Sequence, residues 1–279
     1  MAVNSTSSGT VSRSRLFRLP ATTWIIIITS FTSLVLILFG QESAVNAVAL
    51  TPARILAGSS IWTLVTHIFF HSGFLHLFVN MFSLFFIGNI TEQIIGRKRF
   101  IWFYLLSGIF AGIVFVLTAW IGTKTGLTSV FGSLDFPGIG ASGALFGVLG
   151  ILAVLLPNKR VYLIVGPLIA IFVQYLISPF LSDNLSYFFN IFLNLIVFLM
   201  ILSMLNPLPI FRKIAVPLNL PMWLAPILAI VPLVVLSFFF ALPIANTAHF
   251  GGLLAGLLYG WYLRVRYRRK VAMLQRVFR

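Results

Sequence analysis

The sequence predicts an all-α polytopic membrane protein. Three observations carry that expectation. The 279 residues are 60% hydrophobic and only 8% charged, with a mean hydropathy of +1.08, whereas a soluble domain is about one-quarter charged. Apolar runs long enough to enter a bilayer succeed one another along the chain, separated by short polar segments. The basic residues gather in every second connecting segment, as they do in chains that cross a membrane back and forth and keep their basic loops on one side. The net charge of +15 is read as this asymmetry, and no nucleic-acid partner is expected. Cysteine is absent, which removes disulfides and thiol chemistry.

Residues 1–21 are polar, with Arg13, Arg15 and Arg18 ahead of the run Thr22–Phe39. They are expected to form a disordered, basic, cytoplasmic tail before an uncleaved first span. Residues 41–66 carry Glu42, Pro52, Arg54 and Trp62 and read as a long first loop. A second span follows from His76 to about Ile90, and a third from Phe100 to about Ile121. A glycine-rich loop over 122–139 leads to Gly140-Ala-Ser-Gly143, which opens a helix ending at Pro157. Val161–Ser178, Leu185–Leu205 and Met222–Leu242 come next, with kinks expected at Pro167, Pro226 and Pro232. The last span runs from Ala245 to about Leu263, and residues 265–279 form a second basic tail. The expectation is therefore about eight spans in a membrane domain over 22–264.

Charge placement orients these spans. With the N-terminus cytoplasmic, 17 of the 19 Lys and Arg residues fall on the inner side, and only Arg54 and Lys124 fall outside. Both termini are then cytoplasmic, in a plasma membrane, and the last basic segment is drawn to anionic lipid. This topology brings Ser142, His76 and His249 to one layer near the outer face.

Polar side chains in lipid glue helices together or carry function. Ser142 permits both readings. Gly140, Gly143, Gly147 and Gly150 make a small-residue face that needs no chemistry, and Gly-Ala-Ser-Gly is not the Gly-x-Ser-x-Gly elbow of soluble hydrolases. His249 precedes Gly252, Gly256 and Gly260 by one turn on the same face. Two smooth faces in contact would bring the imidazole to the serine as a general base. Of the four acids, Glu42, Glu92 and Asp183 are misplaced and Asp135 lies in a loop. The expectation is thus a Ser–His dyad, with a polar neighbour such as Asn246 helping to orient the histidine. His76 and Asn80 are four apart, so they share a helix face. With the Ser142 N–H they could stabilise an oxyanion, one such donor being worth about 3 kcal/mol. His67 and His71 lack the glutamate of a zinc hydrolase motif; they are read as structural, bonding loop carbonyls, and no metal or cofactor is expected.

Gly140-Ala-Ser-Gly143, His76-Leu-Phe-Val-Asn80 and Ala248-His249-Phe-Gly-Gly252 with Gly256, in that combination, resemble the rhomboid family of intramembrane serine proteases. Trp62 and the His67, His71, His76 spacing fit as well. The resemblance implies a six-helix core, Ser142 as nucleophile, His249 as base, and Asn80 and His76 as oxyanion donors. It also implies membrane-protein substrates, single-span or polytopic, cut near the outer membrane face. The chain departs from the family in having Phe146 where many members have Tyr, and Thr63 where Arg is common. A further departure is the long stretch between Ser142 and His249, which leaves room for an inserted transmembrane hairpin within 161–221. A catalytically silent relative that binds membrane clients is the alternative. A transporter would show a polar path through the whole membrane and often a repeat; neither is visible.

Overall fold

The computed structural model describes residues 19–205, 209–239 and 245–278. Arg13, Arg15 and Arg18 of the expected N-terminal tail, and the last residues of the expected seventh span, lie outside them. Each of the apolar runs contains a helix. They are α1 (Ala21–Phe39), α2 (Phe74–Ile95, with a π turn at Leu84–Gly88), α3 (Arg97–Thr125), α4 (Ser142–Leu155), α5 (Gly166–Ile177), α6 (Asp183–Leu202), α7 (Ala225–Ser237) and α8 (Asn246–Arg266). A ninth helix, α9 (Arg268–Val277), follows. Among the described residues, four helical segments are individually long and apolar enough to cross a bilayer: α1, α2, α3 and Asp183–Leu205. The protein is a multi-pass, all-α membrane protein.

The core centres on α4. Its Val148, Ile151, Leu152 and Leu155 are fully enclosed, as expected of a helix that is apolar all round. The contact between α4 and α8 is backbone against backbone. A Cβ on Gly252 would overlap the Gly143 carbonyl, and one on Gly256 the Gly147 carbonyl. Phe100 and Tyr104 of α3 close the same core, along with Leu77, Met81 and Leu84 of α2.

The two ends of the bundle are tied differently. At one end Glu92 of α2 caps α1: its carboxylate accepts the Ala21 N–H (2.7 Å), the Thr22 N–H (2.8 Å) and the Thr22 hydroxyl (2.7 Å). A carboxylate satisfies the orphan donors of a helix N-terminus and complements its dipole. At the other end of α1, Ser33 meets His71 at 3.0 Å. The C-terminal segment, expected as a tail, folds in large part into α9 and packs under the Glu92 end. There Val271 is buried, Gln275 donates to the Leu155 carbonyl (3.0 Å), and Arg99 of α3 donates to the Tyr267 hydroxyl (3.1 Å).

Two expected spans are shorter than the sequence suggests. Residues Arg160–Ile164, the last four of them read as the start of the fifth span, form a strand, β1. It pairs antiparallel with β2 (Pro217–Pro221), Arg160 opposite Pro221 and Ile164 opposite Pro217. The ribbon brackets residues 165–216, which contain α5 and α6. Pro167 sits in the first turn of α5 and Pro226 in the first turn of α7, where a missing N–H costs nothing. These two prolines therefore start helices and do not kink them. Pro232 alone lies inside α7.

Candidate active site

The site forms where α4 begins. Ser142 is the first residue of α4 and is half-buried; His249 is buried one turn into α8. Their side chains meet, with Nε2 of His249 2.8 Å from Oγ of Ser142 across 107 positions of sequence. The glycine contacts between α4 and α8 make this possible, because a larger side chain at Gly252 would hold the helices apart. Phe146, one turn along α4, stacks on the His249 ring with centroids 4.6 Å apart and planes 26° from parallel. The hydrogen bond and the ring together fix the imidazole from two sides.

The approach to Ser142 is built from histidines. The His67 carbonyl accepts the Gly140 N–H at 2.8 Å, and His71 Nε2 accepts the Ala141 N–H at 3.3 Å. His67 Nδ1 in turn lies 2.7 Å from its own-turn carbonyl, Thr63. His67 thus bonds a carbonyl, as expected, whereas His71 takes a loop N–H and the Ser33 hydroxyl, not a loop carbonyl. Their effect is to set the turn from which α4 departs, leaving the first N–H groups of that helix to point outward without intrahelical partners.

His76 and Asn80 share one face of α2, as their spacing predicts. The His76 ring lies against Gly140, where φ is +128° and a Cβ would come within 2.8 Å of that ring. It also stands edge-on to His71, centroids 4.9 Å apart. Asn80 is buried and donates one amide hydrogen to the His76 carbonyl at 2.8 Å; its second amide hydrogen remains for another acceptor.

No side-chain hydrogen bond joins Asn246 to His249, the orienting contact drawn from the sequence. The Asn246 amide nitrogen reaches α7, 2.6 Å from Ser237 Oγ and 3.3 Å from the Leu233 carbonyl. Sequence reasoning missed Ser237 and Ser33 altogether: Ser237 is a lone hydroxyl in an apolar run, whereas Ser33 is one of several in Thr29-Ser-Phe-Thr-Ser33 and does not stand out. Trp62 of the first loop is half-exposed and donates to the Ala47 carbonyl at 2.9 Å, while Thr63 is buried with its hydroxyl on the Ser60 carbonyl.

A multi-pass helical bundle with a serine and a histidine hydrogen-bonded at the mouth of a buried helix is the class of protein that these features define. The Rhomboid domain model matches residues 58–192 and 190–266. The chain belongs to the rhomboid family. It is 37% identical over 110 residues to RHOMBOID-like protein 5 of Arabidopsis thaliana, covering 39% of this chain and 32% of that protein. It is 34% identical over 110 residues to the Rhomboid protease GluP of Bacillus subtilis, covering 39% of this chain and 19% of that one. Inactive RHOMBOID-like protein 8 of Arabidopsis thaliana is 34% identical over 103 residues, covering 37% of this chain and 25% of its own length. The chain thus spans well under half the length of these relatives. Membership supports either an intramembrane protease or an inactive rhomboid-like protein.

Proposed function

We propose that the chain is an intramembrane serine endopeptidase that cleaves transmembrane segments of membrane proteins, with Ser142 as nucleophile and His249 as general base. The observation that carries this reading is the 2.8 Å contact between Ser142 Oγ and His249 Nε2. A silent client-binding relative has no need of a hydroxyl and an imidazole held in register by a backbone-to-backbone helix contact.

In this reading His249 Nε2 takes the Ser142 proton as Oγ attacks the scissile carbonyl. Oγ–C forms, the carbonyl π bond opens, and the negative charge collects on its oxygen. The Ser142 N–H, His76 and the second Asn80 amide hydrogen are the donors proposed for that oxygen. Collapse breaks the C–N bond, and the imidazolium returns its proton to the leaving amine. Water then attacks the acyl-serine, His249 again taking the proton, and releases the acid and free Ser142. A pair of this kind needs no metal and no cofactor.

The plasma membrane, with both termini cytoplasmic and cleavage near the outer face, is the location proposed. Supporting it, Lys159, Arg160, Arg264 and Arg266 lie toward the end of the bundle that holds Glu92 and α9, opposite Ser142. The test uses the purified full chain in lipid with a fluorophosphonate probe and a single-span substrate. Wild type should label and cleave, and Ser142→Ala should do neither. A well-folded wild type that does neither leaves the silent client-binding reading.

A further inference from the structure

Among the described residues, two buried polar atoms at the Ser142–His249 site have no hydrogen-bond partner: Nδ1 of His249 and Oδ1 of Asn246. The hydrogen-bond network fixes what each must be. Ser237 Oγ gives its proton to the Leu233 carbonyl at 2.7 Å, so toward Asn246 it can only accept. The Leu233 carbonyl can only accept as well. The Asn246 nitrogen must therefore face α7, and its oxygen is turned away as an acceptor with nothing to accept. On the histidine, if Nε2 receives the serine proton, the neutral ring carries its proton on Nδ1. That atom is a donor with nothing to receive it. An unmet donor and an unmet acceptor stand one turn apart on α8, both shut off from solvent, and a buried unpaired group of this kind is costly.

We propose that Asn246 is a positioning residue for His249, its Oδ1 accepting the Nδ1 proton. The two atoms are beyond hydrogen-bonding distance in the static structure, so a small side-chain rotation or one shared water closes the link. Asn246 then stands where the acid of a Ser–His–Asp triad would stand. It holds the tautomer in which Nε2 is a base, without placing a charge in the bilayer. The amide nitrogen of the same residue grips α7, so the histidine is positioned relative to α7 as well as to α4. This assignment rests on the protease reading for its consequence, but the hydrogen bond itself does not.

The experiment separates the two jobs of Asn246 in the full-length protein. Asn246→Ala removes both the acceptor and the tie to α7. Asn246→Asp keeps an acceptor and loses the tie. Ser237→Ala weakens the tie and leaves the acceptor. Asn246→Ala should lower kcat about 10- to 100-fold with KM nearly unchanged, since a catalytic group set about 1 Å out of place can cost about 100-fold, while Asn246→Asp and Ser237→Ala retain most of the turnover. Equal losses in all three, tracking a common fall in Tm, would show a packing tie only and overturn the proposal. A second readout needs no activity. With ¹⁵N-labelled histidine, and His249→Ala for assignment, a slowly exchanging Nδ1–H signal is expected in wild type and Ser237→Ala and not in Asn246→Ala. If that signal is absent from wild type, or indifferent to residue 246, the proposal is wrong. A wild type that shows the signal but neither cleaves nor labels removes the protease reading and leaves the hydrogen bond standing.

Discussion

Phe146 stacks on the face of the His249 ring, centroids 4.6 Å apart, while the Nε2 edge of that ring meets Ser142 Oγ at 2.8 Å. Many rhomboids carry a tyrosine here, and the structure shows which part of that side chain the geometry uses: the ring face. Such a stack is worth about 0.5–1.5 kcal/mol beyond its buried area. Phe146→Ala should therefore lower kcat about 2- to 10-fold, while Phe146→Tyr stays near wild type. Steady-state cleavage of one transmembrane substrate by both variants checks this. A Tyr variant as impaired as the Ala variant would mean that the ring contact is irrelevant.

The Gly252–Gly143 contact leads to a sharper expectation. A methyl group at Gly252 has nowhere to go, because the Gly143 carbonyl of α4 occupies its position. Overpacking of a tight core costs about 1–3 kcal/mol, and here the only relief is to move α8 away from α4. That movement separates His249 from Ser142, and misplacement by about 1 Å can cost about 100-fold in rate. Gly252→Ala should consequently lose activity far out of proportion to its fall in Tm, measured side by side. Gly58, which has open space at its Cβ position, is the control for a substitution in the same chain without that contact, although its φ of +74° adds local strain.

Much of this could be read from the residues alone. The apolar runs gave the helices, and the spacing of His249 before Gly252 and Gly256 placed the histidine on the face that meets α4. Local pattern suffices where one element's own periodicity decides its neighbours. It did not suffice for β1, whose partner strand lies more than fifty positions away and whose Val-Tyr-Leu-Ile reads equally well as membrane helix. Nor could it reveal Glu92 as the cap of α1, since the two are separated by about 70 positions and meet only when α2 folds back. Asn246 was read on the correct helix, but its bond to Ser237 was not foreseen, because that contact depends on how α7 packs back against α8.

Glu92 supports a stability prediction with little effect on chemistry. Its carboxylate takes three donors from Ala21 and Thr22. Glu92→Ala strands two backbone N–H groups at a buried helix end, for about 2–4 kcal/mol at 1–3 kcal/mol per orphaned group after partial relaxation. Reversible unfolding in mixed micelles should show this loss. Below the new midpoint, the rate of fluorophosphonate labelling should match wild type, because the cap lies at the end of the bundle opposite Ser142. A labelling defect under folding conditions would contradict that separation.

The last expectation concerns the two faces of α2. Phe74 and Phe78 pack against Phe198 of α6, with centroids 6.0 Å and 4.6 Å apart, and Ala170, Val197 and Ile201 join Phe82 in the same cluster. His76 and Asn80 occupy a different face of the same helix, with the His76 ring toward Gly140. The segment bracketed by β1 and β2 thus presses on the back of the helix that bears the proposed oxyanion donors. A small probe that reacts at Ser142 depends little on the exact set of α2, whereas a substrate carbonyl must meet His76 and Asn80 in register. Phe198→Ala removes one side of the aromatic contact, worth about 0.5–1.5 kcal/mol, and should slow cleavage of a transmembrane substrate about 2- to 10-fold. Labelling should change less. Parallel loss of both, at constant Tm, would show that α6 acts on the Ser142–His249 pair itself and not through α2.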